Sequence, residues 1–191
     1  MNNIRKTSLL FSAVLALFSL GCSNAPTHVI LAPQVVNAPT TVFDKTVTLN
    51  IIDMRTSNHI IQILKEGKAA TILSSDKRLE GLIGDTLKST WQKQGLQFSD
   101  LANTDINITI DKAITSVTQK TMSYSTQSEI VVTVKIANTQ QTLTNTFKTR
   151  GNSEGALKAD IAVLERDFNT SLNTLLTKII NSKDVIRFLA T

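Results

Sequence analysis

The chain has 191 residues, of which 41% are hydrophobic and 18% charged, a balance that fits one packed domain and excludes disorder throughout. Its formal charge is +5, but Arg5 and Lys6 sit in the first segment, and without them 18 basic residues face 15 acidic ones; so mild and scattered an excess argues against a nucleic-acid partner. A single cysteine excludes an internal disulfide and any cysteine-cluster zinc site.

Met1-Asn2-Asn3-Ile4-Arg5-Lys6 is a short basic start, and the apolar run from Leu9 to Phe18 stops soon afterwards at Gly21-Cys22. That run falls short of the roughly 20 apolar residues a spanning helix needs, and no stop-transfer charge cluster follows. Residues 1–21 therefore read as an export signal. Ser19-Leu20-Gly21-Cys22 resembles a bacterial lipobox, with Ser19 standing where the pattern favours leucine. The resemblance implies that the Cys22 thiol takes diacylglycerol, that cleavage falls just before it, and that the new amino terminus is acylated, palmitate being the chain expected. Each buried methylene contributes about 0.8 kcal/mol, so a multiply acylated Cys22 anchors the domain without a spanning helix. In such proteins Asp after the cysteine retains the product in the inner membrane; Ser23 here implies the outer membrane, with the domain in the periplasm.

Residues 22–44 contain Pro26, Pro33 and Pro39 and no charge before Asp44. They read as an extended, flexible tether with one strand-like stretch at Val35-Val36, and residues 45–191 as a single domain. Val47, Leu49 and Ile51 alternate with Thr46, Thr48 and Asn50, the pattern of a strand with one face on a core. His59–Leu64 and Ala69–Leu73 flank Lys65-Glu66-Gly67-Lys68 as a hairpin. A helix is predicted from Ser75 or Asp76, either a suitable N-cap. Leu79, Leu82, Ile83, Thr86, Leu87, Thr90 and Trp91 form its apolar stripe, and Gly95 its left-handed C-terminal cap.

Strands follow at 106–110, 130–136 and 143–147, the last two joined by Ala137-Asn138-Thr139-Gln140 as an antiparallel hairpin. A second helix is predicted to start near Ser153-Glu154 and to carry Ile161, Leu164, Phe168, Leu172, Leu175, Leu176 and Ile179 at helical spacing. Val185–Leu189 returns to cover the core. This order of elements predicts an α+β fold, an antiparallel sheet with two main helices packed on one face.

The lipobox at Cys22, Asp53-Met54-Arg55-Thr56 at the end of the first strand, Glu154-Gly155-Ala156 at the entry to the long helix and Asp184-Val185-Ile186-Arg187-Phe188-Leu189 at the terminus resemble, in this order, the YajG family of bacterial lipoproteins. The resemblance implies a periplasmic domain on a lipid anchor and carries no catalytic residues with it.

Chemistry-bearing candidates are few. Asp53 and Arg55 lie two apart at a strand end and share one face, where they bind a partner's carboxylate or, the favoured reading, pair locally. Glu154 beside Ser153 reads as an acid at the positive end of a helix dipole rather than as a catalyst. His28 falls in the tether. His59 as a general base is expected to lack a serine-motif nucleophile and ligand-spaced metal partners, so a solvent-facing histidine is expected. The polar stretch Gln119–Ser128, which holds the single tyrosine Tyr124, is a contact loop or, as preferred, an extension of two strands. No cofactor and no catalytic residue is predicted. The leading function is a non-enzymatic envelope component that binds another envelope protein, with an open sheet edge able to accept a strand. The alternatives are a carrier of small apolar or lipidic molecules between sheet and helices and, last, an envelope hydrolase.

Overall fold

A computed structural model describes residues 27–36 and 38–190; the predicted signal, Cys22 and Ser23 lie outside the described residues. In chain order the elements are β1 (His28–Val29), β2 (Thr46–Asp53), β3 (His59–Lys65), β4 (Thr71–Ser75), α1 (Leu79–Lys93), β5 (Gln97–Phe98), β6 (Asp105–Gln119), β7 (Ser123–Ala137), β8 (Thr142–Ala156), α2 (Ile161–Ile180) and α3 (Lys183–Ala190).

The three fifteen-residue strands β6, β7 and β8 form an antiparallel meander. Along the other edge of β6 lie β2 and then β3, both parallel to it: Thr48 to Asp53 opposite Asp105 to Ile110, and Ile61 to Lys65 opposite Thr115 to Gln119. β4 pairs antiparallel with β3, β1 joins β4 in parallel, and β5 joins β2 in parallel. The sheet is thus mixed, which corrects the expected antiparallel one. β2 and β3 do not pair with each other; joined by a short link, they continue in one direction along a shared long neighbour.

Midway along β6 the register shifts between Ile110 and Lys112. Before the shift Ile106, Ile108 and Ile110 are buried; after it Ala113, Thr115 and Val117 are. One extra residue moves the inward face from even to odd positions and lets a single strand serve two parallel neighbours.

α1 buries Leu79, Ile83, Leu87 and Trp91 against the inner face, as its stripe requires. Its N-cap is Arg78, which makes no side-chain cap bond. Ser75 cannot fill that role because it is still paired in β4. At the other end Gly95 has φ 94°, its N–H donates to Gln92 and that of Leu96 to Trp91, the bond pair of a Schellman motif. A side chain at Gly95 would also meet the Phe43 carbonyl oxygen at 2.2 Å.

α2 starts at Ile161, not near Ser153-Glu154: β8 runs through Glu154-Gly155-Ala156, held residue for residue against Ser125-Tyr124-Ser123 of β7. The N-cap is Asp160, whose carboxylate accepts from the Ala162 N–H at 2.8 Å. α2 buries Leu164, Phe168, Leu172, Leu175, Leu176, Ile179 and Ile180. α3 closes over them with Val185, Phe188 and Leu189, and all belong to one core with the inner side chains of the sheet.

The expected tether is, over its described residues, a strap on the domain. Val29, Leu31 and Phe43 are buried in the core. The N–H groups of Ile30, Ala32, Gln34 and Val36 donate in turn to Glu165 Oε2, Asn169 Oδ1, Asn173 Oδ1 and Thr177 Oγ1, at 2.8, 3.0, 2.8 and 3.3 Å. The spacing explains the ladder, since four helical residues advance about 6.0 Å and two extended residues about 6.6 Å. On the other flank Thr86 of α1 donates to the Pro33 carbonyl and Gln94 to that of Pro39.

Candidate functional site

Asp53 and Arg55 meet as a local pair at the junction where β2 hands over to β3. The Arg55 Nη2–Asp53 Oδ2 distance is 2.7 Å, and the Arg55 side chain is 7% exposed. Arg55 Nε and the Arg55 backbone N–H both donate to Asp53 Oδ1, and Nη1 donates to the Ala113 carbonyl at 3.3 Å. The guanidinium thereby fills the gap on β6 between its two parallel partners. Burial pushes the Asp53 carboxyl up, but the hydrogen bonds and charge of Arg55 outweigh it and hold the group below its ordinary value. Beside the pair is a polar cleft of about 590 Å³ at the start of α1, whose wall carries Lys77 and Arg78 against Asp76 and Glu80.

His59 is half-buried and not solvent-facing: Nδ1 is hydrogen-bonded to Ser57 Oγ, and Nε2 is buried without a partner. Contrary to the expectation for His59, the chain does contain a G-x-S-x-G spacing, Gly151-Asn152-Ser153-Glu154-Gly155. That motif acts as a sharp strand-to-helix turn, whereas here all five residues are paired along β8 and Ser153 Oγ is bonded to Thr126 Oγ1 at 2.7 Å. β6 and β7 separate Ser153 and Glu154 from His59 on β3, about 14 Å at ordinary strand spacing. Among the described residues no group of three or more His, Cys, Asp or Glu side chains is placed to hold a metal. No described helix is long and apolar enough to cross a membrane.

Two surface features stand out. β8 pairs with β7 alone, and none of its fifteen residues is fully buried, so its outer edge is free of strands among the described residues. Its two cations are tied inward: Glu129 of β7 accepts from Lys148 and Arg150 of β8 and from Lys112 of β6, at 2.6, 2.7 and 2.6 Å. These three cations hold the Glu129 carboxyl far below the usual carboxylate range.

The second feature is the end of the sheet where β3, β6 and β8 finish and β7 and α2 begin. Gln119–Ser128, preferred as a strand extension, is one: β6 runs to Gln119 and β7 starts at Ser123. The buried Gln119 organises this end, with Nε2 donating to the carbonyls of Lys120, Ser123 and Leu157 and Oε1 accepting from the Ala159 N–H. Leu157, whose N–H donates to the Met122 carbonyl, has φ 64°, uncommon for a leucine. Both side chains point outward, Met122 68% and Leu157 61% exposed. Next to them opens a groove of about 1010 Å³ whose walls include Ile30, Ile63, Ala69 and Ile161 and the lysines 65, 68, 120 and 158. No sequence pattern announced this grouping, because its members come from three separate turns and the strap.

A family model described as "Uncharacterized lipoprotein" matches residues 33–190. Among curated proteins no sequence matches the chain. The crystal structure of protein XCC0632 from Xanthomonas campestris, of family DUF330, is similar with a TM-score of 0.59 at 10% identity, covering 86% of this chain and 97% of that one. The hypothetical protein CT253 from Chlamydia trachomatis is more distant, with a TM-score of 0.38 at 6% identity over 77% and 96% of the two chains. The first likeness is one of fold.

Proposed function

This chain belongs to the uncharacterized lipoprotein family whose model it matches, and on that premise we propose that it is a non-enzymatic envelope component that docks another envelope protein along β8. In this reading Cys22 carries the lipid, Ser23 directs the product to the outer membrane, the domain faces the periplasm, and the chain is kin to the YajG lipoproteins. The observation that carries the docking role is the outer edge of β8, fifteen residues long and paired with no strand but β7 among the described residues, with the Lys148 carbonyl accepting from Lys178 of α2. An unpaired edge offers backbone donors and acceptors to an incoming strand. The carrier alternative needs space between sheet and helices; the central space is filled by Trp91, Phe168, Ile106, Ile130 and their neighbours, which leaves that reading the groove of about 1010 Å³ at the end of the sheet, between Ile63 and Ile161. A hydrolase needs a convergent acid, base and nucleophile, and His59, Glu154 and Ser153 are spread across the sheet.

The test is crosslinking in intact envelopes from positions along β8. Proline at Thr144 or Thr146 removes an edge donor, so a stoichiometric crosslinked partner lost in these variants, with folding retained, supports docking. A partner retained in both would refute the edge. Cys22→Ala should leave an unprocessed or soluble product, and Ser23→Asp should move the protein toward the inner membrane in density-gradient fractions; unmodified Cys22 in membrane-purified protein would end the anchor reading.

A further inference from the structure

We propose that the end of the domain formed by the β6–β7 turn, the β3–β4 turn and the start of α2 seats on an anionic phospholipid leaflet. Met122 and Leu157 enter the interface there, and Lys65, Lys68, Lys120 and Lys158 meet headgroup phosphates.

Three observations converge on that end. Met122 and Leu157 are neighbours bonded through their backbones and exposed by 68% and 61%, and Lys120 and Lys158 sit beside them in sequence. Apolar side chains flanked by lysines are the composition of surfaces that lie in a membrane interface. The left-handed Leu157 backbone is the second observation. A glycine would adopt φ 64° without penalty, yet the position keeps a large apolar side chain that packs against nothing in the core. The third is where the chain enters. β1 runs parallel to β4, with His28 opposite Ser74, so from Thr27 to Val29 the chain runs away from the end of the sheet where β4 begins, the end that carries the β3–β4 turn. Thr27 is five residues from Cys22, at most about 18 Å of extended chain.

Charge supports the same face. None of the four lysines joins an ion pair among the described residues. Two acids on the groove wall are turned inward, Asp160 onto the Ala162 N–H and Glu165 onto the Ile30 N–H. Glu66 and Glu154 also lie at this end and work against binding. The entry argument rests on the lipid anchor at Cys22; the exposed apolar pair and the lysines do not.

The experiment uses the mature chain carrying Cys22→Ala, so that binding is reversible, sedimented with vesicles of equimolar phosphatidylcholine and phosphatidylglycerol or of phosphatidylcholine alone. Binding is expected to the anionic vesicles only, and to weaken with salt. Lys120→Gln and Lys158→Gln should each lower the partition coefficient about fivefold, and Glu66→Gln should raise it. Leu157→Gly suits the backbone and removes only the apolar side chain, so it should lower binding with an unchanged melting temperature. Lys93→Gln and Lys183→Gln, at the opposite end, should change nothing. Equal binding to both vesicles, or equal losses from Lys93→Gln and Lys120→Gln, would overturn the proposal. So would photocrosslinking from position 122 in intact envelopes to a protein and not to lipid. Unmodified Cys22 in membrane-purified protein, alongside intact binding to anionic vesicles, would remove the anchor and leave the seating surface supported.

Discussion

The ring of Tyr124 occupies the space that a side chain at Gly155 would need. The two residues are direct cross-strand partners in β7 and β8, and a Cβ on Gly155 would lie 2.5 Å from the ring carbons. Gly155→Ala should therefore push the ring away from the core edge it covers, at about 1–3 kcal/mol as for other overpacked sites. Gly151→Ala on the same strand meets nothing within 4 Å and should leave stability unchanged or slightly raised. Thermal melts of the pair, with the emission of the single tyrosine, test the contrast; equal melting temperatures would refute it.

Trp91 is 1% exposed on the α1 stripe. Truncating a packed aromatic costs about 3–5 kcal/mol, a large part of the ~5–15 kcal/mol a domain holds in all. Trp91→Ala should lower the melting temperature sharply, and an unchanged transition would contradict the packing of α1.

Asn169 serves the strap twice, accepting from the Ala32 N–H and donating to the Ile30 carbonyl, whereas Asn173 serves it once, through Gln34. With each hydrogen bond contributing roughly 0.5–1.5 kcal/mol, Asn169→Ala should open residues 27–44 to limited proteolysis more than Asn173→Ala. The core should stay resistant in both. Identical cleavage in the two variants and the parent chain would show that the ladder does not hold the strap.

Glu129 is held below its ordinary value of about 4.5 first by Lys112, then by Lys148 and Arg150. A carboxyl whose folded value is depressed contributes stability that is present above its unfolded value and lost as pH falls toward the folded one. The melting temperature should therefore decline below about pH 4.5, and Glu129→Gln should make that acid-side decline shallower while lowering stability near neutrality. Parallel acid-side curves for the two proteins would remove Glu129 from the account.

The parts of the fold that sequence made legible are those where one element faces one core. The stripe of α1, its Gly95 cap and the β3–β4 hairpin each follow from a local period or turn residue. β6 was legible only to Ile110, because the bulge that follows reverses which positions point inward and breaks the alternation. The strand pattern of β8 is legible only to Phe147, since from Lys148 onward it carries few apolar side chains and passes through Gly-Asn-Ser-Glu-Gly, a composition that reads as a turn or a helix start. Its strand character comes from β7, a partner that no local pattern names. The same holds for the parallel pairing of β2 and β3 with β6. In the strap, proline content masks the buried Val29, Leu31 and Phe43, and the α2 side chains that bind it are more than 130 residues away. Asp53 and Arg55 were correctly read as a local pair, but their bond to Ala113 depends on the junction of two strands. The exposed apolar grouping at Met122 and Leu157 has no sequence signature at all, because folding assembles it from turns.

The strap ladder also sets how the domain carries load. Residues 30–36 run along α2 in the same sense as the helix, from Glu165 toward Thr177, so under the proposed anchor at Cys22 tension would pull the segment lengthwise across its four rungs. In that shear geometry the rungs bear force together, where a pull at right angles would peel them one at a time. Under the proposed docking, drag on a partner at β8 would be resisted by the short pairing of β1 with β4, the four rungs and the buried Val29 and Leu31 before the longer strands of the sheet yield.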